Sequence, residues 1–331
     1  MNALITGATG ALGPRVVEAF CEAGHRVRAF SLHHDPDLRS PPGVETVMGD
    51  IADAEAFRQA MQDMDAVVHL AALLHITNPT PDTLDMYERV NVRGTRLVVQ
   101  AALAAGVGRI VLASTIAVYG PGQGRVLDEH SQPRPESAYA KSKLAAEQIT
   151  LQARDGTGRP VGAVLRLGAV YGARVKGNYE RLVHALARRR FIPIGPGRNR
   201  RTLVYDRDAA RAFAIAASHP AAAGRVFNVT DGGVHRLADI IEAICSALGR
   251  RPPRFSIPLA LARLAVSGME RGSRMLGVRP PVSLETLNKY TEDIAVDGRL
   301  IQGELGFTPQ YDLRTGWNEA VREMKDLGKL T

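Results

Sequence analysis

The chain has 331 residues, 45% hydrophobic and 23% charged, with 32 glycines and 19 prolines. That length is ample for a self-sufficient core, and the composition excludes collagen-like, disordered and disulfide-scaffold classes. Lys plus Arg number 42 against 34 Asp plus Glu, a net charge of +8, which favours an anionic partner: nucleic acid, phospholipid or a phosphorylated small molecule. Cys21 and Cys245 lie far apart in helix-like apolar patterns. They read as buried structural thiols in a reducing compartment, with no metal or redox role. No apolar run is long enough to cross a bilayer, and a strand pattern starts at once, so a soluble, cytoplasmic protein is expected.

Residues 2–6 form a short apolar strand, and Gly7-Ala8-Thr9-Gly10-Ala11-Leu12-Gly13 opens a helix running to about Ala23, closed by Gly24. Strand, glycine turn and helix in that order make a dinucleotide-binding fingerprint. Gly7 permits the tight turn, Gly10 lets the backbone approach a pyrophosphate, and Gly13 allows close helix–strand packing. The helix N-terminus then presents N–H groups and a positive dipole end to the phosphates. The second strand, 25–32, should end on the residue that reads the adenosine ribose, where an acid favours NAD and a base NADP. Ser31 and Leu32 stand there, followed by His33 and His34, with Asp35 and Asp37 slightly late. The sequence leaves both NAD and NADP open.

Strand 44–48, helix 54–61, strand 66–70, a long helix 84–105 and strand 109–113 continue the alternation. Such a pattern predicts a parallel sheet with right-handed crossovers and helices on both faces. Gly49-Asp50-Ile51, His69-Leu70-Ala71-Ala72 and Ser114-Thr115 fall at carboxyl ends of strands, where ligands sit in this architecture.

Tyr139 and Lys143 stand four apart in a run of strong helix formers from Ser137 to Glu147. That spacing puts phenol and ammonium on one helical face. A neighbouring ammonium stabilises the phenolate, which predicts a tyrosine pKa lowered from about 10 and a general acid and base. Upstream, the strand from Arg109 delivers the Ser114 and Thr115 hydroxyls ahead of Ile116-Ala117-Val118-Tyr119-Gly120. Together with Thr6-Gly-x-x-Gly-x-x-Gly13, Gly49-Asp50-Ile51, His69-Leu-Ala-Ala72 and Val90-Asn91-Val-Arg-Gly-Thr95, these motifs resemble the extended short-chain dehydrogenase/reductase family. The similarity is to its NAD-dependent epimerase/dehydratase branch.

The resemblance implies an α/β fold: a Rossmann-type doubly wound parallel sheet over residues 1–172, with a smaller C-terminal substrate domain over 173–331 whose segments return to the core. It implies that Gly7, Thr9, Gly10, Ala11, Leu12 and Gly13 meet the cofactor pyrophosphate, Ser31 the ribose, and Asp50 and Ile51 the adenine. Leu70, Ala71 and Ala72 would line the cofactor channel, Gly168 and Val170 its far end, and Asn91 a supporting polar network. Thr115 would hydrogen-bond the reacting oxygen, with Ser114 able to share the task, while Tyr139 transfers the proton and Lys143 also holds the nicotinamide ribose. No metal is called for. Ile116-Ala117 replaces the acidic pair of the family's sugar dehydratases, so dehydration is not expected, and Leu167 stands where the family often has Pro.

Beyond Gly172 the alternation fades. Lys176-Gly177-Asn178 and Arg200-Arg201-Thr202-Leu203-Val204-Tyr205 resemble the segments that bring an Asn and an Arg to a sugar diphosphate, with Arg274 a further candidate. A planar guanidinium suits phosphate oxygens. Arg188, Arg189 and Arg190 read as a solvated helix face. The stretch 258–276 mixes Leu259, Leu261, Leu264, Val266 and Met269 with Arg263, Arg271 and Arg274. A membrane-surface helix is one reading of it, and an amphipathic helix covering the substrate domain is the favoured one. Helices 84–105 and 137–154 resemble a four-helix dimer interface, with Leu97, Val98 and small alanines as contacts, which predicts a homodimer.

The leading functional expectation is a nucleotide-sugar epimerase, inverting C4 of a UDP-hexose or UDP-N-acetylhexosamine through a 4-keto intermediate. A keto-sugar reductase consuming reduced NAD(P) uses the same groups, as does a hydroxysteroid or lipid alcohol dehydrogenase. A non-catalytic dinucleotide sensor is disfavoured by Thr115, Tyr139 and Lys143, and nucleic acid by the lack of a basic patch interleaved with aromatics.

Overall fold

A computed structural model describes residues 1–33, 42–76, 80–275 and 284–330, without the side chains of 274, 275, 285, 286 and 289. The first half runs β1 (Asn2–Thr6), α1 (Gly13–Glu22), β2 (Arg26–Ser31), β3 (Glu45–Met48), α2 (Ala54–Ala60) and β4 (Ala66–His69). It continues with α3 (Pro81–Tyr87), a π-helical turn (Glu88–Arg93), α4 (Gly94–Ala104), β5 (Arg109–Thr115) and β6 (Val126–Leu127). Next come α5 (Ala138–Leu151), β7 (Gly162–Leu167) and β8 (Ala169–Tyr171). The second half adds α6 (Asn178–Ala187), β9 (Arg200–Arg201), β10 (Leu203–Tyr205), α7 (Asp206–Ser218), β11 (Val226–Val229) and β12 (His235–Arg236). The chain ends through α8 (Leu237–Ala247), α9 (Leu259–Met275), α10 (Leu284–Thr291), β13 (Ala295–Val296), α11 (Arg299–Leu305) and α12 (Leu313–Asp326).

Seven parallel strands build the central sheet in the order β11-β7-β5-β4-β1-β2-β3. Strand order reverses beside β1, so the glycine turn leaves the sheet at its topological switch point. β4 and β7 are buried along their whole length, as continuous apolar strands covered on both faces must be. One core packs Ile5, Val16, Phe20 and Phe213 over the sheet, and the other packs Leu4, Phe30, Phe57 and Val98 beneath it. Small side chains on α7, among them Ala209, Ala212 and Ala216, let that helix lie against α1. The sheet's last strand and one covering helix thus come from residues 206–229. A separate core joins Tyr171, Leu203, Tyr205, Ile240 and Trp317, with Tyr171 stacked on Trp317 at 4.2 Å between centroids.

Two expectations need correction. The single helix 84–105 is divided: it starts at Pro81 behind a Thr80 capping box and widens into a π-helical turn at Glu88–Arg93. The extra residue in that turn aims Asn91 inward, where it is 1% exposed. Val98 is fully buried in the chain's own core, so it is no dimer contact, whereas Leu97 is half-buried.

Candidate active site

Gly7 takes a φ of 71°, and a Cβ there would sit 2.8 Å from the Ala71 nitrogen. A Cβ on Gly13 would run into the Ala8 and Gly7 carbonyl oxygens. Those two contacts are why the turn demands glycine: the first lets β1 and the chain after β4 close on each other, the second seats α1 on the turn. At Gly10 the one near neighbour of such a Cβ is the Gly7 oxygen, at 3.0 Å, so this backbone is free to approach a ligand. The first turn of α1 carries no acid. The turn therefore fits a dinucleotide pyrophosphate, with Thr9, Ala11 and Leu12 completing its rim.

Ser31 ends β2 buried, its carbonyl accepting the Gly49 N–H at 3.0 Å, while Leu32 and His33 lie exposed beyond it. His34, Asp35 and Asp37 fall outside the described residues. Asp50 is exposed and folds its carboxylate onto the Ala52 N–H at 2.8 Å. Ile51 packs at Gly94, where a Cβ would stand 2.9 Å from its Cδ1.

A buried chain of hydrogen bonds sets the strand ends. The Thr95 hydroxyl donates to the Asn91 carbonyl at 2.6 Å, which leaves its oxygen to accept from His69 Nε2 at 3.1 Å. His69 Nδ1 then accepts from the Thr6 hydroxyl at 2.7 Å, and Thr6 Oγ1 accepts the Ala71 N–H at 3.3 Å. Burial pushes the His69 imidazole down to about 3, with Lys143 adding repulsion, so the ring is neutral and its tautomer is defined by its partners. Asn91 accepts the Leu73 N–H at 2.7 Å and donates to the Leu73 carbonyl at 3.1 Å and to Ser142 at 2.9 Å. It therefore clamps the stretch of Leu70, Ala71 and Ala72 to the catalytic helix.

Ser137 caps α5 by accepting the Ala140 N–H at 3.2 Å. Tyr139 then faces inward, with the His75 ring edge-on at 6.1 Å and 88° and the Tyr87 ring at 6.1 Å. The Tyr87 hydroxyl accepts the Ile76 N–H at 2.8 Å and donates to the Leu74 carbonyl at 3.0 Å, pinning residues 74–76 over Tyr139. Burial pushes the Tyr139 phenol up to about 12, and Tyr87 adds to the rise. Burial also pushes Lys143 down to about 8, against the pull of Glu147. The expected lowering of the tyrosine is thus corrected: burial, with Tyr87, raises the phenol, and the protein alone holds it neutral.

Thr115 closes β5 half-buried, accepting the Ala117 N–H at 3.2 Å. Ser114 is corrected as a partner of the reacting oxygen. It points to α5, where it donates to Glu147 at 2.5 Å, so its proton is engaged there. Glu147 in turn holds Arg166, with Nη2 at 2.6 Å and Nε at 3.0 Å, and both side chains are nearly fully buried. The Arg166 guanidinium lies 4.6 Å from the Tyr119 ring centre, and the Tyr119 hydroxyl donates to Asn228 Oδ1 at 2.9 Å. Sequence reasoning missed this pair as well as His75 and Tyr87. An arginine inside an otherwise apolar strand, and a glutamate one turn past Lys143, were its signals.

Gly168 donates its N–H to the Val229 carbonyl at 2.9 Å where β7 passes into β8, which carries the half-buried Val170. Asn178 is exposed at the first position of α6. Arg201 on β9 donates to the Tyr290 carbonyl at 3.1 Å, and its charge opposes the burial-driven rise of the Tyr179 phenol to about 12. The Arg274 side chain lies outside the described residues. Among the described residues no cluster of His, Cys, Asp or Glu could hold a metal, and no helix is long and apolar enough to cross a membrane.

A glycine turn at the switch point of a parallel sheet, with Thr115, Tyr139 and Lys143 gathered on β5 and α5, defines a dinucleotide-dependent enzyme that moves a proton and a hydride. Sequence comparison agrees: the chain belongs to the NAD-dependent epimerase/dehydratase family, whose profile matches residues 3–230. It is 27% identical over 97% of its length, and 94% of the relative's, to an N-acetyl-alpha-D-glucosaminyl-diphospho-ditrans,octacis-undecaprenol 4-epimerase of Escherichia coli O157:H7. It is 31% identical over 96% of its length, and 97% of the relative's, to a 2-alkyl-3-oxoalkanoate reductase of Stenotrophomonas maltophilia. Among solved structures, MoeE5 in complex with UDP-glucuronic acid and NAD superposes with a TM-score of 0.77 at 26% identity, covering 99% of this chain and all of the other.

Proposed function

We propose that this enzyme is an NAD-dependent 4-epimerase of a diphosphate-linked hexose, with a UDP-hexose or UDP-N-acetylhexosamine as substrate. The observation that carries the reading is Arg201 on β9, held by the Tyr290 carbonyl at 3.1 Å, with the exposed Asn178 at the start of α6: a cation and an amide that suit a diphosphate. The 4-epimerase activity of the Escherichia coli relative supports this reading.

Thr115 donates to O4 and fixes the sugar in place. Tyr139 takes the O4 proton while C4 is oxidised, and returns it to the same oxygen when the 4-keto sugar is reduced on its other face. Gly7, Gly10 and Gly13 would hold NAD, with Lys143 on its ribose, and the bound cofactor would supply hydride acceptance and return. Lys143, protonated below about 8, favours the phenolate that the oxidation half needs. The protein is expected to interconvert gluco- and galacto-configured UDP-sugars, read by proton NMR. No interconversion of any UDP-hexose or UDP-N-acetylhexosamine at saturating NAD overturns the reading.

A second reading, net reduction of a ketone, uses the same groups, with Tyr139 protonating the carbonyl oxygen as hydride arrives. The reductase relative points the same way. Stoichiometric consumption of reduced NAD or NADP with a keto sugar, a ketosteroid or a 3-oxoalkanoate identifies this reading. We also place a homodimer contact on α4 and α5 through Leu97. A monomer mass in sedimentation equilibrium at micromolar concentration excludes it.

A further inference from the structure

We infer that α9, together with the chain at 254–257 and 188–192, forms a face that binds an anionic lipid surface. The favoured sequence reading, a helix covering the substrate domain, accounts for only one stripe of α9. Ala262 and Val266 are buried against Leu287 of α10. Leu261, Leu264 and Met269, by contrast, are 59%, 73% and 42% exposed. Phe255 is 83% exposed and Ile192 is 59% exposed. These last two stand on segments joined by a bridge between Ile194 and Ile257, in which Ile257 donates to the Pro193 carbonyl at 2.9 Å and Gly195 to the Ile257 carbonyl at 2.8 Å. Scattered apolar side chains are ordinary on a surface, but a run of them along one helix and its neighbouring segment is a contact face.

Charge selects the occupant. Between residues 250 and 271 there are five arginines and a single acid, Glu270. That acid is engaged, accepting the Leu284 N–H at 2.8 Å. Residues 188–198 add four arginines and no acid. Guanidinium groups flanking exposed Leu, Met and Phe suit the headgroup zone of an anionic bilayer, with apolar tips inserted and long basic side chains reaching phosphates. A second copy of this chain would set arginine cluster against arginine cluster across a two-fold axis. The face is also tied to the substrate side, because the Tyr290 carbonyl of α10 holds Arg201. The inference needs no assumption about turnover and stands apart from the catalytic reading.

Sedimentation of the full chain with vesicles of phosphatidylcholine, with and without phosphatidylglycerol, tests it. Binding is expected to the phosphatidylglycerol vesicles and to be weakened by salt. Leu264→Glu with Phe255→Glu should lower it at least about tenfold, and Arg254→Glu with Arg263→Glu comparably. All four side chains are exposed, and circular dichroism melting checks that the variants stay folded. Leu327→Glu, at a half-exposed leucine beyond α12, serves as the control and should bind like the parent. Failure to bind either vesicle overturns the inference. So do equal binding by the variants and the parent, and a dimer in sedimentation that Leu264→Glu dissolves, which would assign the face to self-association.

Discussion

Replacing Arg166 with Met keeps most of its volume and takes from the Glu147 carboxylate, whose side chain is 1% exposed, its ion-pair partner, leaving it the Ser114 hydroxyl and the nearby Lys143 charge. Three close contacts vanish, Nε to Oε1 at 3.0 Å, Nε to Oε2 at 3.2 Å and Nη2 to Oε2 at 2.6 Å. Breaking one side of a buried ion pair costs about 3–5 kcal/mol, and at roughly 2 °C per kcal/mol for a chain of this size the melting temperature should fall by about 6–10 °C. Glu147→Gln alone should also destabilise, because it strands the arginine, while the double variant should recover a large part of the loss. The pair also acts on catalysis with a definite sign. Glu147 holds Lys143 up, so Glu147→Gln should drop that lysine below about 8 and move the alkaline limb of the kcat profile to lower pH. Arg166→Met keeps the carboxylate charge and should not move the limb that way. Thermal melts and urea denaturation of the four proteins and their pH–rate profiles are the assays. A melting temperature for Arg166→Met within about 1 °C of the parent, or strict additivity in the double variant, refutes the reasoning.

Gly13→Ala forces a Cβ into the Ala8 and Gly7 carbonyls, so it should destabilise by about 1–3 kcal/mol and weaken NAD binding by calorimetry. Gly303→Ala, in an exposed helix with nothing within 4 Å of the new Cβ, should instead be neutral or stabilise by up to about 1 kcal/mol. His69 has its pKa lowered from 6.5 to about 3. Its unfolded form therefore takes up a proton first as pH falls, and stability is lost from 6.5 down toward 3. The loss from this residue at pH 5 is about 2 kcal/mol, and His69→Gln should flatten that part of the stability–pH curve. Tyr139→Phe should lower kcat by about 10²- to 10⁴-fold with NAD affinity unchanged, as stopped-flow and equilibrium binding will show.

Local order along the chain determined a great deal here. The alternation of strand and helix, the glycine turn and the four-residue spacing of Tyr139 and Lys143 are short-range patterns, and each maps onto β1, α1 and α5 within a residue or two at the ends. The periods of helix and strand are written in neighbouring residues, so a parallel sheet and a hydride-transfer site could be read there. Tertiary structure alone decided which face each hydroxyl takes and what burial does to charge. Ser114 donates to Glu147, a partner brought to it by the packing of α5 on β5. Val98 enters the core, and the π-helical turn exists where Asn91 must reach Leu73. Tyr139 is driven up and Lys143 down by a desolvation that depends on every element packed around them. The exposed face of α9 belongs to the same category: its sequence is amphipathic, but only the packing of Ala262 and Val266 on Leu287 shows which apolar residues are left outside. Spacing along a helix determines which side chains can meet, whereas pKa values and exposure depend on neighbours brought from far away in the chain, which no local pattern encodes.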